Sequence, residues 1–318
     1  MTAFQHLPVL LRESVAGLVT QAGIYIDGTL GGGGHSEGLL EALQANGWLE
    51  RSLVIGIDRD REALAAASAR LLPKFSGHFR AVEHNFAELD TVFYDLVGPS
   101  QAAQGVLLDL GVSSHQLNTA ERGFSFQKSG PLNMRMSATQ VLTAKAVVNH
   151  YSEAELLRVL RKYGEEPAAR KIVRQIVAAR RTAPIETTDA LAALVRAAVP
   201  ASPLAQTKTL ARVFQALRIE VNQELQALEQ ALGAAHKILA PKGRLAVIAY
   251  HSLEDRLVKQ FMRTHSRDDW GEKGMPLTAP IRAATLRLIT KKPIVPTAAE
   301  IAANTRARSA KLRIAEKL

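Results

Sequence analysis

Asp27-Gly28-Thr29-Leu30-Gly31-Gly32-Gly33-Gly34-His35 sets five glycines between an acid and an imidazole. Glycines let the backbone turn sharply and let a ligand approach with no side chain in the way. Dinucleotide, phosphate and S-adenosylmethionine (SAM) sites all use such turns, and a structural turn is the plain alternative. Asp27 helps choose among the ligands. A carboxylate there repels a pyrophosphate and suits the cationic methionine end of SAM. Asp58 closes Leu53-Val54-Ile55-Gly56-Ile57-Asp58, where an acid can accept both hydroxyls of a ribose; Asp60, two residues on, is the better helix N-cap. Phe86 follows the next apolar run and either packs on an adenine or belongs to the core. Asp109 closes Gly105-Val106-Leu107-Leu108-Asp109 and runs into a polar loop, Leu110-Gly111-Val112-Ser113-Ser114-His115-Gln116. Further on, Tyr250-His251-Ser252-Leu253-Glu254-Asp255-Arg256 contains Ser252 and Asp255 at the spacing of a capping box. His251 is the residue that capping leaves unexplained.

These acids must be carried by strands. Short apolar runs ending at Asp27, Asp58, Glu83 and Asp109 alternate with helical stretches such as Ser36–Asn46 and Arg61–Leu72. That alternation implies βαβ units and a parallel sheet buried on both faces. Right-handed crossovers make the sheet doubly wound, and ligands bind outside the carboxyl ends of its strands. From about residue 137 the pattern is helical only. Ser152 with Glu155 opens one helix, Ile172, Val173, Ile176 and Val177 form the apolar face of another, and a long helical pattern runs from Lys208 to Leu239. Strand signals return at Arg244–Ala249, Thr285–Thr290 and Lys311–Ala315. The fold expected is α/β, a doubly wound, mostly parallel sheet over 1–136 and 213–318, with an inserted all-helical domain over 137–212.

Composition narrows the chemistry. The 318 residues include no cysteine, which excludes disulfides, thiolate metal sites and cysteine nucleophiles. No metal-ligand set is read from the motifs. Apolar runs are far short of the roughly 20 residues of a membrane span, and no export signal is evident, so a cytoplasmic protein without a membrane partner is expected. The formal charge is +10, yet residues 1–110 carry 7 basic and 13 acidic side chains. The surplus lies later, with 8 basic and 2 acidic residues in Arg158–Arg181 and 9 and 2 in Ile281–Leu318. A one-sided field of this kind fits either a solvated face or a polyanionic partner such as nucleic acid. Between the two patterns, Arg122–Phe126 and Gly130–Met136 mix aromatic and basic residues, as an ordered surface loop or a holder of a flipped base would.

Taken together, the segments resemble the ribosomal RNA small-subunit methyltransferase H family, the 16S rRNA (cytosine(1402)-N(4))-methyltransferases. The likeness runs from His6-Leu7-Pro8-Val9-Leu10 to Arg306–Arg313. It is most specific in Leu108–Gln116, Glu121–Phe126, Tyr163–Glu166, Phe214–Asn222 and His251–Arg256. It implies a Rossmann-like SAM-dependent methyltransferase whose cofactor site uses Gly33, Gly34, His35, Asp58, Phe86, Asp109 and Gln116, with 16S rRNA of the small ribosomal subunit as partner. Asn133 stands where the family commonly has Asp, Lys242 where it has Gly and Thr305 where it has Pro.

The mechanism this implies splays a cytidine out of its RNA and lets N4 attack the methyl in line, with no covalent enzyme intermediate. The lack of cysteine agrees, because methylation at carbon 5 generally needs a thiolate. Candidate acceptors for N4 are Asn133, Ser113, backbone carbonyls of Leu110–Ser114 and, less directly, His251. Arg170, Lys171, Arg174, Arg306 and Arg308 are the candidate RNA-phosphate contacts. A dinucleotide oxidoreductase and a non-catalytic RNA-binding protein are the rival readings. A homo-oligomer is left open.

Overall fold

The computed structural model describes residues 8–137, 140–200, 202–271 and 278–318, for 114 and 115 the backbone alone. His6 and Leu7 of the opening motif lie outside the described residues. The chain forms two compact units, 1–111 with 225–318, and 112–224. The second unit begins earlier and ends later than the 137–212 read from sequence texture, because Phe124, Leu132, Met134 and Val221 join the helical core.

The first unit holds a seven-stranded sheet of β1 (Ile24–Asp27), β2 (Leu53–Asp58), β3 (Phe79–Glu83), β4 (Ala103–Asp109), β5 (Leu239–Ala249), β6 (Leu286–Leu288) and β7 (Lys311–Lys317). Their spatial order is β3-β2-β1-β4-β5-β7-β6. The first five pair in parallel, and β7 runs antiparallel to both β5 and β6. Consecutive residues feed opposite faces, and both faces are dry. Tyr25, Val54, Leu107 and Ala246 enter one apolar cluster, while Ile26, Ile55, Val106 and Val247 enter the other. That is why these strands read as continuous apolar runs, with no polar alternation. The strand order reverses between β1 and β4, which opens the crevice where doubly wound sheets bind ligands.

The second unit is helical. Glu153–Lys162, Ala169–Arg180, Thr188–Ala197 and Pro203–Asn222 pack through Leu156, Val159, Ile172, Val173, Leu191 and Val213. The Ser152–Glu155 capping box is present, with Glu155 N–H donating to Ser152 Oγ at 3.2 Å and Ser152 N–H to the Glu155 carboxylate at 2.7 Å. The long pattern from 208 to 239 is two helices rather than one. Gln223 turns left-handed at φ +52° and ends Pro203–Asn222 before Glu224–Ile238 begins. Glutamine seldom marks such a stop, so the sequence hid the break.

Candidate active site

β1, β2 and β4 each end in aspartate, and strand register places all three along one edge of the sheet. Asp27 is fully buried. It accepts from Thr29 N–H at 3.2 Å and Ser36 Oγ–H at 2.8 Å, tying the two ends of the glycine turn together. Its burial raises the pKa against the pull of His35 and Ser36. Asp58 accepts from Gly31 N–H at 2.8 Å through one oxygen and from Asp60 N–H at 2.9 Å through the other. Each carboxylate oxygen has a second lone pair, so capacity for a hydroxyl remains. Asp60 caps the next helix by accepting from Glu62 N–H at 3.1 Å, the role expected of it.

Asp109 is perturbed in the same direction. Desolvation lifts its pKa from 3.8 to about 6 against the opposing pull of His35 and of a hydrogen bond from Tyr250. Tyr250 Oη donates to Oδ1 at 2.8 Å, and His35 Nδ1 stands 3.6 Å from Oδ2, a Coulombic neighbour rather than a hydrogen bond. His35 Nε2 lies 3.0 Å from Val9 O; a carbonyl only accepts, so this nitrogen carries a proton. Thr29 Oγ1 accepts from Asp109 N–H at 2.6 Å and joins β4 to the turn.

The turn is shaped for close approach. Gly31 and Gly33 adopt φ +49° and +76°, and Gly33 caps the helix Gly34–Ala45, which opens with Gly34 and His35. A Cβ on Gly28 would sit 2.6 Å from Leu108 Cδ2 and 3.5 Å from Phe86 Cβ. Phe86 therefore lines the same side as the turn while also packing on the core; the two alternatives for it are not exclusive. These features fit SAM. A largely enclosed acid with His35 3.6 Å away favours a cationic ligand, Asp58 has spare acceptor capacity for a hydroxyl, and the glycines leave the backbone bare.

At the end of β5 the helix Ser252–His265 begins on His251, not on Ser252. Glu254 N–H approaches His251 Nδ1 at 3.4 Å, and Glu254 Oε2 accepts from the N–H groups of Tyr250 and His251 at 2.9 and 3.3 Å. The capping box is therefore His251 with Glu254, which corrects the Ser252–Asp255 reading. Asp255 instead takes Arg313 at 2.8 Å and Lys311 at 3.3 Å, both from β7. His251 Nε2 lies 3.1 Å from Glu254 Oε1 without an aligned hydrogen bond.

In the second unit Ser113 and Gln116 hold each other. Ser113 N–H donates to Gln116 Oε1 at 3.0 Å, and Gln116 N–H to Ser113 Oγ at 3.2 Å. Asn133 Oδ1 accepts from Arg135 Nε at 2.8 Å and Arg135 N at 3.3 Å. The segment is pinned by Asn222, whose amide donates to Met134 O and accepts from Met136 N–H at 2.8 and 2.9 Å. Met134 sits at φ +59°, a conformation that pinning sustains. Arg170, Lys171 and Arg174 are exposed on the helix Ala169–Arg180, and Arg306 and Arg308 are exposed in the first unit.

Motif reading missed Thr29, Ser36, Tyr250, Glu254 and Asn222. Tyr250 and Asn222 stood inside or beside quoted motifs, but their partners are distant in sequence. Thr29 and Ser36 were hidden by the glycines around them.

A doubly wound sheet with this glycine turn and acidic edge is that of a SAM-dependent methyltransferase. The sequence profile of the MraW methylase family matches residues 3–318, and the chain belongs to that family. It is similar to the ribosomal RNA small subunit methyltransferase H of Chloroherpeton thalassium, at 52% identity over 100% of both chains. The enzyme of that name from Chlorobium chlorochromatii is 52% identical over 98% of this chain and 96% of its own. Among solved structures, an rRNA methylase from Streptococcus thermophilus is similar with a TM-score of 0.40 at 12% identity, covering 97% of this chain and 93% of that one. No helix among the described residues is long and apolar enough to cross a membrane.

Proposed function

We propose that the chain methylates the exocyclic N4 of cytidine 1402 in 16S rRNA of the small ribosomal subunit, by direct in-line transfer. The observation that carries the reading is Asp109, a largely enclosed acid with a raised pKa at a strand end, beside the bare glycine turn and four residues before Ser113. Gly33, Gly34, His35, Asp58, Phe86, Asp109 and Gln116 hold SAM. When bound, SAM supplies an electrophilic methyl group.

N4 of cytosine is a poor nucleophile because its lone pair is delocalised into the ring, so the chain's task is orientation. Holding reactants in line contributes on the order of 7–11 kcal/mol. Of the candidate acceptors, Ser113 keeps the most capacity. Among the described residues its oxygen accepts one N–H, that of Gln116, leaving a lone pair and its own proton. Asn133 Oδ1 already accepts twice from Arg135, and His251 is committed to its helix cap. Ser113 with the carbonyls of Leu110–Ser114 therefore orients the amine, and Asn133 shapes the loop. The helical unit grips RNA phosphates through Arg170, Lys171 and Arg174, aided by Arg306 and Arg308. Incubating 16S rRNA with enzyme and SAM, then mapping the product by mass spectrometry, tests the proposal. One methyl on N4 of a single cytidine is expected; a methyl on carbon 5 or on a 2′-oxygen overturns it.

A further inference from the structure

The helix Ser252–His265 has a face that the catalytic edge does not use. Arg256, Lys259 and Arg263 are exposed on it, and Arg267 follows just past its end. Steps of three or four residues keep these side chains on one stripe, while Val258 and Met262 on the opposite side are buried in the core. With Arg282, the four line a cavity of about 510 Å³. Arg282 is anchored by Nη2 donating to Thr264 O at 2.9 Å, and its Nη1 is buried without a hydrogen-bond partner among the described residues. Asp268 and Asp269 also border the cavity. Each has one carboxylate oxygen turned to backbone, accepting from Ala284 N–H at 2.8 Å and Gly271 N–H at 3.0 Å. Among the described residues, five cations against two acids leave a net positive hollow. Trp270, beside Asp269 in sequence, is 49% exposed.

We infer that this hollow is a second anion site, a track that holds the phosphodiester backbone of single-stranded RNA as it leaves the catalytic edge. The inference rests on the RNA reading above. The helix starts at the carboxyl end of β5, so Arg256 lies nearest that edge. Arg267 lies about 16 Å farther along at 1.5 Å per residue, a reach of several nucleotides. Guanidinium forks pair phosphate oxygens in a bidentate way, and Nη1 of Arg282 is a donor within the hollow that such an oxygen can engage. An exposed Trp beside a basic groove suits base stacking. An anionic membrane fits less well, because a surface-bound helix needs an apolar face to insert, and the apolar side of this one is buried.

The test uses the full-length protein with the double substitution Arg263→Gln and Arg267→Gln. Fluorescence anisotropy with a 15-nucleotide oligouridylate is titrated across salt. Each phosphate contact on a single strand contributes about 0.7 to the slope of log K against log salt. The double variant should lose about 1.4 of slope and bind about tenfold more weakly near 0.1 M salt, with SAM affinity unchanged as evidence of a native fold. An unchanged slope in a protein that still methylates 16S rRNA overturns this inference alone. A wild-type protein that neither binds RNA nor methylates it overturns the functional reading and this inference with it. Binding to vesicles containing anionic lipid that the substitutions abolish, with RNA binding intact, would reassign the hollow to membrane and also overturn it.

Discussion

The acidic edge of the sheet and the basic face of the helix Ala169–Arg180 use charge in opposite ways. At the edge, Asp27 is buried and Asp109 largely enclosed; both are lifted in pKa by desolvation and held by hydrogen-bond donors. On the helix, Arg170, Lys171 and Arg174 are exposed, and water screens them from one another. A buried charge demands one partner in one place, whereas exposed charges offer an interchangeable field. The edge should therefore respond to single substitutions, and the face only to several at once.

The largest effect is expected at Asp109. Asp109→Asn keeps the shape and lets Tyr250 still donate, but it removes the charge. Charge-assisted hydrogen bonds contribute about 1.5–3 kcal/mol, so calorimetry should show SAM affinity falling about 10- to 100-fold, with methylation falling at least as far. Unchanged affinity would mean that the buried charge is structural, and the contrast between the regions would fail. Asp58→Ala comes next. It removes the proposed ribose acceptor and the partner of Gly31 N–H together, and a loss of about tenfold is expected.

The raised pKa of Asp109 gives a pH test with a definite sign. Its folded value is about 6 against 3.8 ordinarily. Between those values the folded chain keeps a proton that the unfolded chain has released, so this group's contribution to stability shrinks as pH rises through the window. A cationic ligand favours the ionised acid. SAM affinity should therefore climb as pH approaches 6 and level off above it, and the stabilisation that SAM gives in thermal melts should grow over the same range. Asp109→Asn should flatten both curves.

How these regions appeared in the sequence follows from the same difference. The strand ends were legible because a run such as Val54-Ile55-Gly56-Ile57 followed by an acid has few other uses, and the capping role of Asp60 could be read from position alone. The stripe of Ile172, Val173 and Ile176 was legible from helical period. What stayed hidden was long-range. Tyr250 reaches Asp109 across 141 positions, and Asn222 reaches Met134 across 88; no local pattern encodes either contact. His251 as a helix cap was hidden because its imidazole does a job usually given to Ser, Thr, Asp or Asn. Lys242 stands at φ +66° where a glycine would carry no Cβ strain, and its side chain gave no hint of that backbone.

The smallest single-site effects are expected on the helix Ala169–Arg180, and there the comparison can be sharpened most. Arg170→Gln, Lys171→Gln or Arg174→Gln alone should change RNA affinity less than about threefold, since surface charge pairs contribute only about 0–1 kcal/mol. Made together, they remove three neighbouring cations while leaving Ile172, Val173 and Ile176 packed, so the fold should persist. If each contacts one phosphate, the slope of log K against log salt falls by about 2 on a single strand. The decisive quantity is the slope rather than the affinity, because a slope counts released counterions and is indifferent to which cation released them. A single variant that lost as much as the triple would show one fixed contact, like those at the strand ends, and the face would have to be reclassified as a built site.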